Sequence, residues 1–392
     1  MSGFRYGVIG AGRQGVATAY DMVKQGGGEN VLLADYDAQV AQRAAERINR
    51  LIGKPVATWQ QVDASNLNAV VKALDGLDVF LCGTPFGFIP VATEAALRAG
   101  VGMVDYGGHT PTVLKQIERD AEAKAKGIAV VPDCGMGPGM NNTLGTYAVE
   151  MLEKEGLTPR EVYLWDGGIP QDPIPPWNYQ CAFNINGLTN EYYGEVAFLR
   201  DGEVKMMRAF EELEPIVFEG VGQLEAFTTT GGTSTAPYTF EGKLQVYQNK
   251  TCRWPGHFAQ FKAFQLLGLF DLAPITVNGD PIAPRDVFHA LLEPKISAPL
   301  IQDVCVMRAK GVGVDASSAE RAVIIDLIDY YEEETGFTAM ERITGWHAGI
   351  MAEFIARGVV TPGAWPMEQA VPASVFMEQV RARGFDVTVR WE

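Results

Sequence analysis

Short apolar, β-branched runs alternate with amphipathic stretches along the first third of the chain. Strand-like runs fall at residues 6–9, 31–34, 79–82, 101–105 and 128–132, and helical patterns lie between them at 14–24, 38–50, 67–74, 91–99 and 111–125. This alternation is typical of parallel βαβ units, in which each helix crosses back over the sheet. We therefore expect an α/β domain with a doubly wound parallel sheet over residues 1–135.

The pattern changes after the last of these runs. Glycine and proline cluster at 135–139, a helix is predicted over 141–154, and strand-like runs follow at 161–165, 196–199, 223–229 and 244–250. Turn residues at short intervals favour a second α+β domain with a mixed or antiparallel sheet, over residues 136–339. The stretch 319–331 fits a strand or a buried helix, and we favour the strand. Helices predicted over 340–356 and 374–383 are expected to join the first domain, as part of residues 340–392.

A glycine-rich loop follows the first predicted strand and opens the first predicted helix. Its residues are Gly10, Gly12 and Gly15, with Arg13 and Gln14 between them. Glycines at this spacing permit a tight turn, close approach of the backbone to a pyrophosphate, and close helix packing, while the helix N-terminus offers free N–H groups. The loop predicts a Rossmann-type dinucleotide-binding domain.

An acidic residue, Asp35, stands 20 residues after the last glycine of the loop, at the end of the next strand. A carboxylate there accepts hydrogen bonds from ribose hydroxyls and repels a 2′-phosphate, so we expect NAD in preference to NADP. The alternative is that Asp35 caps the following helix. Asp63 is expected beside the adenine, and Cys82, Thr84 and Pro85 are expected near the ribose and nicotinamide.

Composition narrows the range of partners. The chain of 392 residues is 47% hydrophobic and 20% charged, as in ordinary globular proteins, and its net charge of −16 disfavours nucleic acid and anionic membranes. We find no apolar stretch of about 18 residues and no signal-like segment, which predicts a cytoplasmic protein. The five dispersed cysteines predict reduced thiols and no metal site. Pairing of the second-domain sheet across a two-fold axis leads us to expect a homodimer.

Four later segments carry a resemblance to a known family. They are D-Y-G-G-H at 105–109, D-x-G-x-x-P-G-M at 133–140, E-A-F-x-T-x-G-G-T-S-T at 225–235 and R-x-x-G-H at 253–257, beside a predicted turn at 167–170 and a proline pair at 175–176. Across nearly the whole chain these segments resemble the saccharopine dehydrogenase-like superfamily, most closely its lysine 6-dehydrogenase family. Thr228 and His347 depart from the expected pattern.

The resemblance implies NAD-dependent oxidative deamination of the ε-amino group of L-lysine, giving 2-aminoadipate 6-semialdehyde, ammonia and NADH. The alternatives are a saccharopine dehydrogenase or a carboxyspermidine-type dehydrogenase, which would join or split a secondary amine. A catalytically silent NAD-binding sensor is a third possibility. The cations in the second-domain segments are Lys250 and Arg253, which suits a substrate with one carboxylate better than a tricarboxylate.

Four residues form the expected substrate site. Arg253, in an apolar and aromatic setting, would hold a carboxylate in a bidentate fork, unless it forms a structural ion pair. Glu225 would offer its negative charge to a substrate ammonium, or serve as an ordinary sheet glutamate. Tyr179 and Thr229 complete this set.

Three residues are expected to serve the chemistry. His257 is a candidate general base because the ordinary pKa of histidine lies near neutrality; the alternative is a histidine buried in the core. His109 and Asp105 follow a predicted strand at the carboxyl edge, where sheets of this kind place their ligands. Either of these two could instead be structural.

Overall fold

The computed structural model describes residues 3–181 and 184–392. The first two residues of the predicted first domain, and residues 182 and 183 of the second, lie outside the described part.

The chain falls into three consecutive regions. The first comprises β1 (Phe4–Ile9), α1 (Arg13–Lys24), β2 (Gly28–Asp35), α2 (Ala38–Ile52), β3 (Ala57–Gln61), α3 (Leu67–Ala73), β4 (Val79–Cys82), a 3₁₀ helix (Phe86–Phe88), α4 (Ile89–Ala99), β5 (Gly102–Asp105), α5 (Thr110–Ile117), α6 (Asp120–Lys126) and β6 (Ala129–Val131). The second comprises α7 (Met140–Lys154), β7 (Thr158–Pro170), α8 (Ile185–Glu191), β8 (Glu195–Arg200), β9 (Glu203–Arg208), β10 (Glu214–Phe218), β11 (Gly222–Thr228), α9 (Ala236–Thr239), β12 (Val246–Arg253), α10 (His257–Leu266), β13 (Ile275–Val277), β14 (Asp280–Ile282), α11 (Pro284–Ile296), β15 (Asp303–Val314) and β16 (Glu320–Tyr330). The third comprises α12 (Ala339–Ala356), β17 (Gly363–Ala364), α13 (Met367–Ala370), α14 (Ala373–Ala382) and β18 (Val387–Trp391).

The first sheet is parallel throughout, in the order β17-β6-β5-β4-β1-β2-β3. The chain runs outward from β1 to β3 and then returns to build the other half from β4 to β6. This order reverses between β1 and β4, and sheets of this kind bind ligands at the carboxyl edge beside such a reversal. The predicted doubly wound parallel sheet is confirmed. Its edge strand β3 was not predicted, because its polar sequence lacks a clear apolar alternation.

The second sheet is mixed, as predicted. Its main path is β10-β11-β12-β7-β15-β16-β18, and β8 joins β12 with β9 beside it. β12 and β7 are parallel, and the other pairs are antiparallel. The turn predicted at 167–170 is wrong, because these residues continue β7 and pair with β15. The strand favoured over 319–331 is confirmed as β16.

The C-terminal region contributes to both sheets. Helix α12 packs on α1, and a Cβ built on its Gly345 would lie 2.7 Å from the Cβ of Ala17, so the contact requires glycine. β17 extends the first sheet beside β6, and β18 extends the second beside β16. In the described ranges, we find no helix with both the length and the apolar character needed to cross a membrane.

Candidate active site between the two sheets

The loop between β1 and α1 forms a cradle of bare backbone. Gly10 has a φ of +98°, and a Cβ there would lie 2.6 Å from the carbonyl oxygen of Gly83. A Cβ on Gly15 would lie 2.1 Å from the carbonyl oxygen of Gly10, so the helix packs on the loop at a distance that excludes side chains. Helix α1 starts after Gly12 without a side-chain cap, and a Cβ built on Gly12 would have no neighbouring atom within 4 Å. The loop therefore fits a pyrophosphate.

The Asp35 carboxylate is tied to this loop. Its Oδ2 accepts a hydrogen bond from the backbone N–H of Ala11 at 2.9 Å, and its Oδ1 accepts one from Asp37 at 3.0 Å. The cap of α2 is Asp37, whose side chain accepts from the N–H of Gln39. Asp35 is therefore not the helix cap. It stands half-buried at the end of β2, next to the loop, as expected of a ribose-binding residue.

The other residues expected at the cofactor lie around the same edge. Asp63 is exposed after β3 and accepts hydrogen bonds from Ser65. Cys82 is buried at the end of β4, with its Sγ 3.2 Å from Oγ1 of Thr84, and Pro85 follows at the surface.

Arg13 and Gln14 point in different directions from the start of α1. The exposed Arg13 donates from Nε to Oε1 of Glu341 at 2.8 Å, which links α1 to the first turn of α12. Gln14 lines a cleft next to the loop, and its buried Oε1 has no hydrogen-bond partner among the described residues. An unpartnered buried acceptor at this point is available to a ligand.

The cleft has a volume of about 210 Å³ and lies between the carboxyl edge of the first sheet and one face of the second. The first sheet and α12 supply Gln14, Tyr106, Gly135, Met136, Gly137, Pro138, Met340 and Thr344. The second region supplies Asp166, Gly167, Gly168, Glu191, Thr229, Thr230, Gly232, Asn249, Thr251 and Arg253.

Alternation along β12 explains the floor of the cleft. Asn249, Thr251 and Arg253 are every second residue of this strand, so their side chains share one face of the sheet. Asp166 on the parallel strand β7 is the register partner of Thr251. Thr229, directly after β11, places its hydroxyl 2.7 Å from that of Thr251. Polar groups from three strands thus meet on one surface.

Arg253 is 3% exposed and is held by three hydrogen bonds. Its Nε donates to the Tyr192 hydroxyl at 3.0 Å, Nη1 to the carbonyl of Cys252 at 3.0 Å, and Nη2 to Oε2 of Glu191 at 3.1 Å. The Tyr179 ring centroid lies 5.2 Å from the guanidinium carbon. A guanidinium has five N–H groups, so one remains on each of Nη1 and Nη2. These two can hold a carboxylate.

Two carboxyl groups share the cleft with this arginine. Desolvation raises the pKa of Asp166 to about 6, while a hydrogen bond from Nδ2 of Asn249, at 3.3 Å, and the charge of Arg253 oppose the rise. The Glu191 side chain keeps 31% of its surface exposed, and desolvation raises its pKa to about 7 against the opposing effect of Arg253. The buried Oδ1 of Asn249 has no partner in the described part of the chain. The cleft therefore has two carboxyl groups that can bind a positively charged group, and one guanidinium that can bind a negatively charged one.

His257, expected as a base, lies behind the cleft wall. It is 1% exposed, and its Nε2 lies 2.9 Å from the Tyr192 hydroxyl. Burial and the nearby Arg253 hold the pKa of His257 well below its usual value. The imidazole is therefore neutral, and the one hydrogen bond of its ring within the described part of the chain is to Tyr192.

Glu225, expected to meet a substrate ammonium, instead caps a helix. Its Oε2 accepts from the N–H of Gly256 at 3.0 Å, and its Oε1 accepts from the N–H of Phe258. These N–H groups belong to the start of α10, where a negative charge is stabilising. Glu225 is not among the residues that line the cleft.

His109 and Asp105 also lie outside the cleft lining. The His109 ring stacks on Phe86 with centroids 4.3 Å apart, and burial followed by the charge of Lys115 lowers its pKa. Asp105 is fully buried and accepts from the N–H of Gly107 at 2.8 Å and from Nε2 of Gln116 at 2.7 Å. Asp105 therefore stabilises the turn after β5.

The structure thus brings Arg253 and Thr229 together in the cleft and adds two carboxylates that sequence reasoning missed. Asp166 interrupts an apolar strand just before a double glycine, and a lone charge in such a place was an available signal. Glu191 ends a short helix and gives no comparable signal. Thr228 and His347, the two departures from the pattern, are buried away from the cleft lining.

Comparison with known proteins agrees with this architecture. Residues 6–131 match the family description "Saccharopine dehydrogenase NADP binding domain", and residues 135–385 match "Saccharopine dehydrogenase C-terminal domain". The chain belongs to the saccharopine dehydrogenase family.

Individual relatives are distant. Mitochondrial alpha-aminoadipic semialdehyde synthase of Bos taurus is 21% identical over 220 residues, which cover 55% of this chain and 22% of that protein. Saccharopine dehydrogenase [NADP(+), L-glutamate-forming] of Saccharomyces cerevisiae is 21% identical over 173 residues, covering 44% and 38%. The matches therefore span less than half the length of these curated relatives. The solved structure of apo saccharopine dehydrogenase (L-Glu forming) from Saccharomyces cerevisiae has the same fold, with a TM-score of 0.81 at 16% identity over 100% of both chains.

Proposed function

We propose that the protein catalyses NAD-dependent oxidative deamination of the ε-amino group of L-lysine, giving 2-aminoadipate 6-semialdehyde, ammonia and NADH. The observation that carries this proposal is the charge of the cleft. Among the described residues that line it, Arg253 is the one cationic side chain, and it faces the carboxyl groups of Asp166 and Glu191. Lysine, with one carboxylate and two ammonium groups, has the complementary set of charges. Saccharopine, with three carboxylates, does not.

Arg253 binds the substrate α-carboxylate in this proposal. Its two remaining N–H groups lie on different nitrogens, and the fork of a guanidinium matches the two oxygens of a carboxylate. Tyr192 and the carbonyl of Cys252 hold the guanidinium in place, so little side-chain entropy is lost on binding.

Asp166 takes the proton from the ε-ammonium. Its carboxylate is oriented by Asn249, and it is ionised above about pH 6. Burial in the cleft disfavours the charged amine, which promotes transfer of its proton to the carboxylate. The neutral amine would then lose a hydride from its ε-carbon to the bound dinucleotide, which leaves a C=N double bond in an iminium ion. Water adds to that carbon and gives up one proton to solvent, and the C–N bond breaks to release ammonia and the aldehyde. The position of His257 behind Tyr192 leads us to assign the base role to Asp166 rather than to His257.

The glycine loop and Asp35 would hold the dinucleotide. When bound, NAD supplies the acceptor for the hydride. The carboxylate of Asp35 is fixed beside the loop by the N–H groups of Ala11 and Asp37, where it would repel the 2′-phosphate of NADP. This favours NAD as the cofactor.

The alternative is oxidation of saccharopine itself, the substrate in the name of the yeast relative. Rates of NADH formation with L-lysine and with saccharopine test the choice, each with the Asp166→Asn variant and with Asp172→Asn as an exposed control. We expect kcat/KM to be at least about tenfold higher for lysine, and activity to be lost in Asp166→Asn and kept in Asp172→Asn. Faster oxidation of saccharopine would overturn the proposal.

A further inference from the structure

The ion pair between Arg253 and Glu191 joins a buried guanidinium to a partly exposed carboxylate that lines the cleft. The Arg253 side chain is 3% exposed, whereas that of Glu191 is 31% exposed, at the wall of the cleft. The other carboxylate oxygen, Oε1, has no hydrogen bond within the described part of the chain. The backbone carbonyl of Glu191 accepts the N–H of Thr230 at 2.9 Å, which fixes this last residue of α8.

A buried structural ion network elsewhere in the molecule shows the contrast. Arg383 donates to Asp21 and to Glu353, at 2.7 Å each, and these side chains are 2%, 0% and 7% exposed. All three of these side chains are closed to solvent, although Glu353 also accepts a hydrogen bond from the exposed Arg357. A glutamate serving only to neutralise Arg253 has no need to face a cleft, whereas one that binds a ligand must do so.

The free groups of the pair match one kind of ligand. Arg253 retains one N–H on each of Nη1 and Nη2, and Glu191 retains Oε1, with the two side chains joined at 3.1 Å. An α-amino acid carries a carboxylate and an ammonium on the same carbon. We propose that Arg253 and Glu191 form a binding site for the α-amino acid group, in which Glu191 accepts hydrogen bonds from the α-ammonium.

This inference rests on the proposed function for the identity of the whole substrate, and it adds how that substrate is selected. Asp166 pairs in register with Thr251, two residues before Arg253 on β12, so it serves a different part of the ligand. The site therefore excludes amines that lack an α-carboxylate and amino acids that lack an α-amine. A diamine or a 6-aminoalkanoate is a poor ligand.

Ligands without a reactive ε-amine test this site independently of the reaction. L-Norleucine has the α-amino acid group and a four-carbon tail, and hexanoate is its analogue without the α-amine. We expect calorimetry on the protein with NAD to show norleucine binding at least about tenfold more tightly than hexanoate, as hydrogen bonds between charged groups allow. Glu191→Gln should bring the ratio close to one by weakening norleucine alone. Glu195→Gln, exposed and outside the cleft lining, is the matched control and should keep the ratio.

Equal weakening of both ligands in Glu191→Gln would show that Glu191 only supports Arg253, and a ratio near one in the unaltered protein would also overturn the proposal. If Glu191→Gln fails to fold, the pH dependence of the ratio in the unaltered protein decides. The ratio should rise as the pH increases through about 7, where Glu191 ionises. The neighbouring charged groups are Arg253, which stays protonated in this range, and Asp166, whose pKa is raised to about 6. Asp166 also repels the hexanoate anion when it ionises, so the same titration is repeated with Asp166→Asn, in which the rise through about 7 should remain. A ratio independent of pH would contradict the proposal.

The two proposals can fail separately. If L-lysine yields no NADH but the norleucine ratio depends on Glu191, the amino acid site stands and the lysine reaction is wrong. If lysine is oxidised and the ratio does not depend on Glu191, the reaction stands and the role of Glu191 is wrong.

Discussion

Nε2 of His257 lies 2.9 Å from the hydroxyl oxygen of Tyr192, and that oxygen also accepts a hydrogen bond from Nε of Arg253. Since the oxygen accepts from Arg253, the hydroxyl proton is free to be donated to the neutral imidazole. His257 thus acts through Tyr192 to orient Arg253.

The first prediction concerns this chain of hydrogen bonds. Tyr192→Phe leaves the buried Nε–H of Arg253 without its acceptor, which costs about 1 to 3 kcal/mol. We expect KM for lysine to rise by about fivefold to a hundredfold, with a smaller change in kcat, because the arginine binds the unreactive end of the substrate. Tyr193→Phe, an exposed neighbour, is the control and should leave KM unchanged. An unchanged KM in Tyr192→Phe would show that the hydroxyl does not position Arg253.

The second prediction is the pH dependence. Desolvation raises the pKa of Asp166 to about 6, and the ionised form is the base, so kcat should be lost as the pH falls through about 6. Protonation of Glu191 near pH 7 should instead weaken substrate binding and raise KM. At higher pH the rate should rise further as the substrate ammonium, with an ordinary pKa of about 10.4, loses its proton. Asp166→Asn should lower kcat by about a hundredfold or more.

His257→Asn separates the two candidate bases. Because burial keeps His257 neutral throughout this range, its replacement should leave the midpoint of the acid limb in place. A midpoint that moves in His257→Asn, together with an active Asp166→Asn variant, would return the base role to the histidine.

The third prediction is the choice of cofactor. We expect kcat/KM to be at least about tenfold higher with NAD than with NADP, a difference of about 1.4 kcal/mol, because the carboxylate of Asp35 would face the 2′-phosphate. Asp35→Ser should narrow the difference mainly by improving the use of NADP. Equal rates with both cofactors in the unaltered protein would contradict this assignment.

The fourth prediction separates the roles of two loop glycines. The Cβ added by Gly12→Ala would have no neighbouring atom within 4 Å, so the melting temperature without cofactor should be unchanged while NAD affinity falls. Gly15→Ala forces a Cβ to 2.1 Å from the carbonyl of Gly10 and should lower the melting temperature itself. Unaltered NAD binding by Gly12→Ala would mean that the pyrophosphate does not approach this part of the loop.

The fold was predictable where local pattern decides it. The glycine loop, the βαβ alternation and the strand at β16 carry their own signals, whereas β15 does not. That strand interrupts its apolar sequence with Arg308 and Lys310 and carries Gly311 and Gly313. It pairs with β16 across a short turn and, on its other side, with the distant strand β7. Tertiary pairing, rather than its own pattern, makes it a strand.

The site was predictable only in part for the same reason. Thr229 and Arg253 lie in the motifs at 225–235 and 253–257, which are recognisable in the sequence alone. Asp166 becomes part of the site because parallel pairing brings it beside Asn249, 83 residues away in the chain. The histidines were predicted to be catalytic because the ordinary pKa of histidine lies near neutrality. His257 is instead buried behind the cleft wall, and that burial depends on the tertiary structure, which the sequence pattern does not show.

The most direct test of the proposed reaction uses L-lysine labelled with ¹⁵N at the ε position and measures how much ¹⁵N-labelled ammonia is released. We expect one labelled ammonia for each NADH formed, and no labelled ammonia when the label is at the α position instead. Release of the α label, or NADH formation without ammonia, would contradict the proposal that the ε-amino group is removed as ammonia.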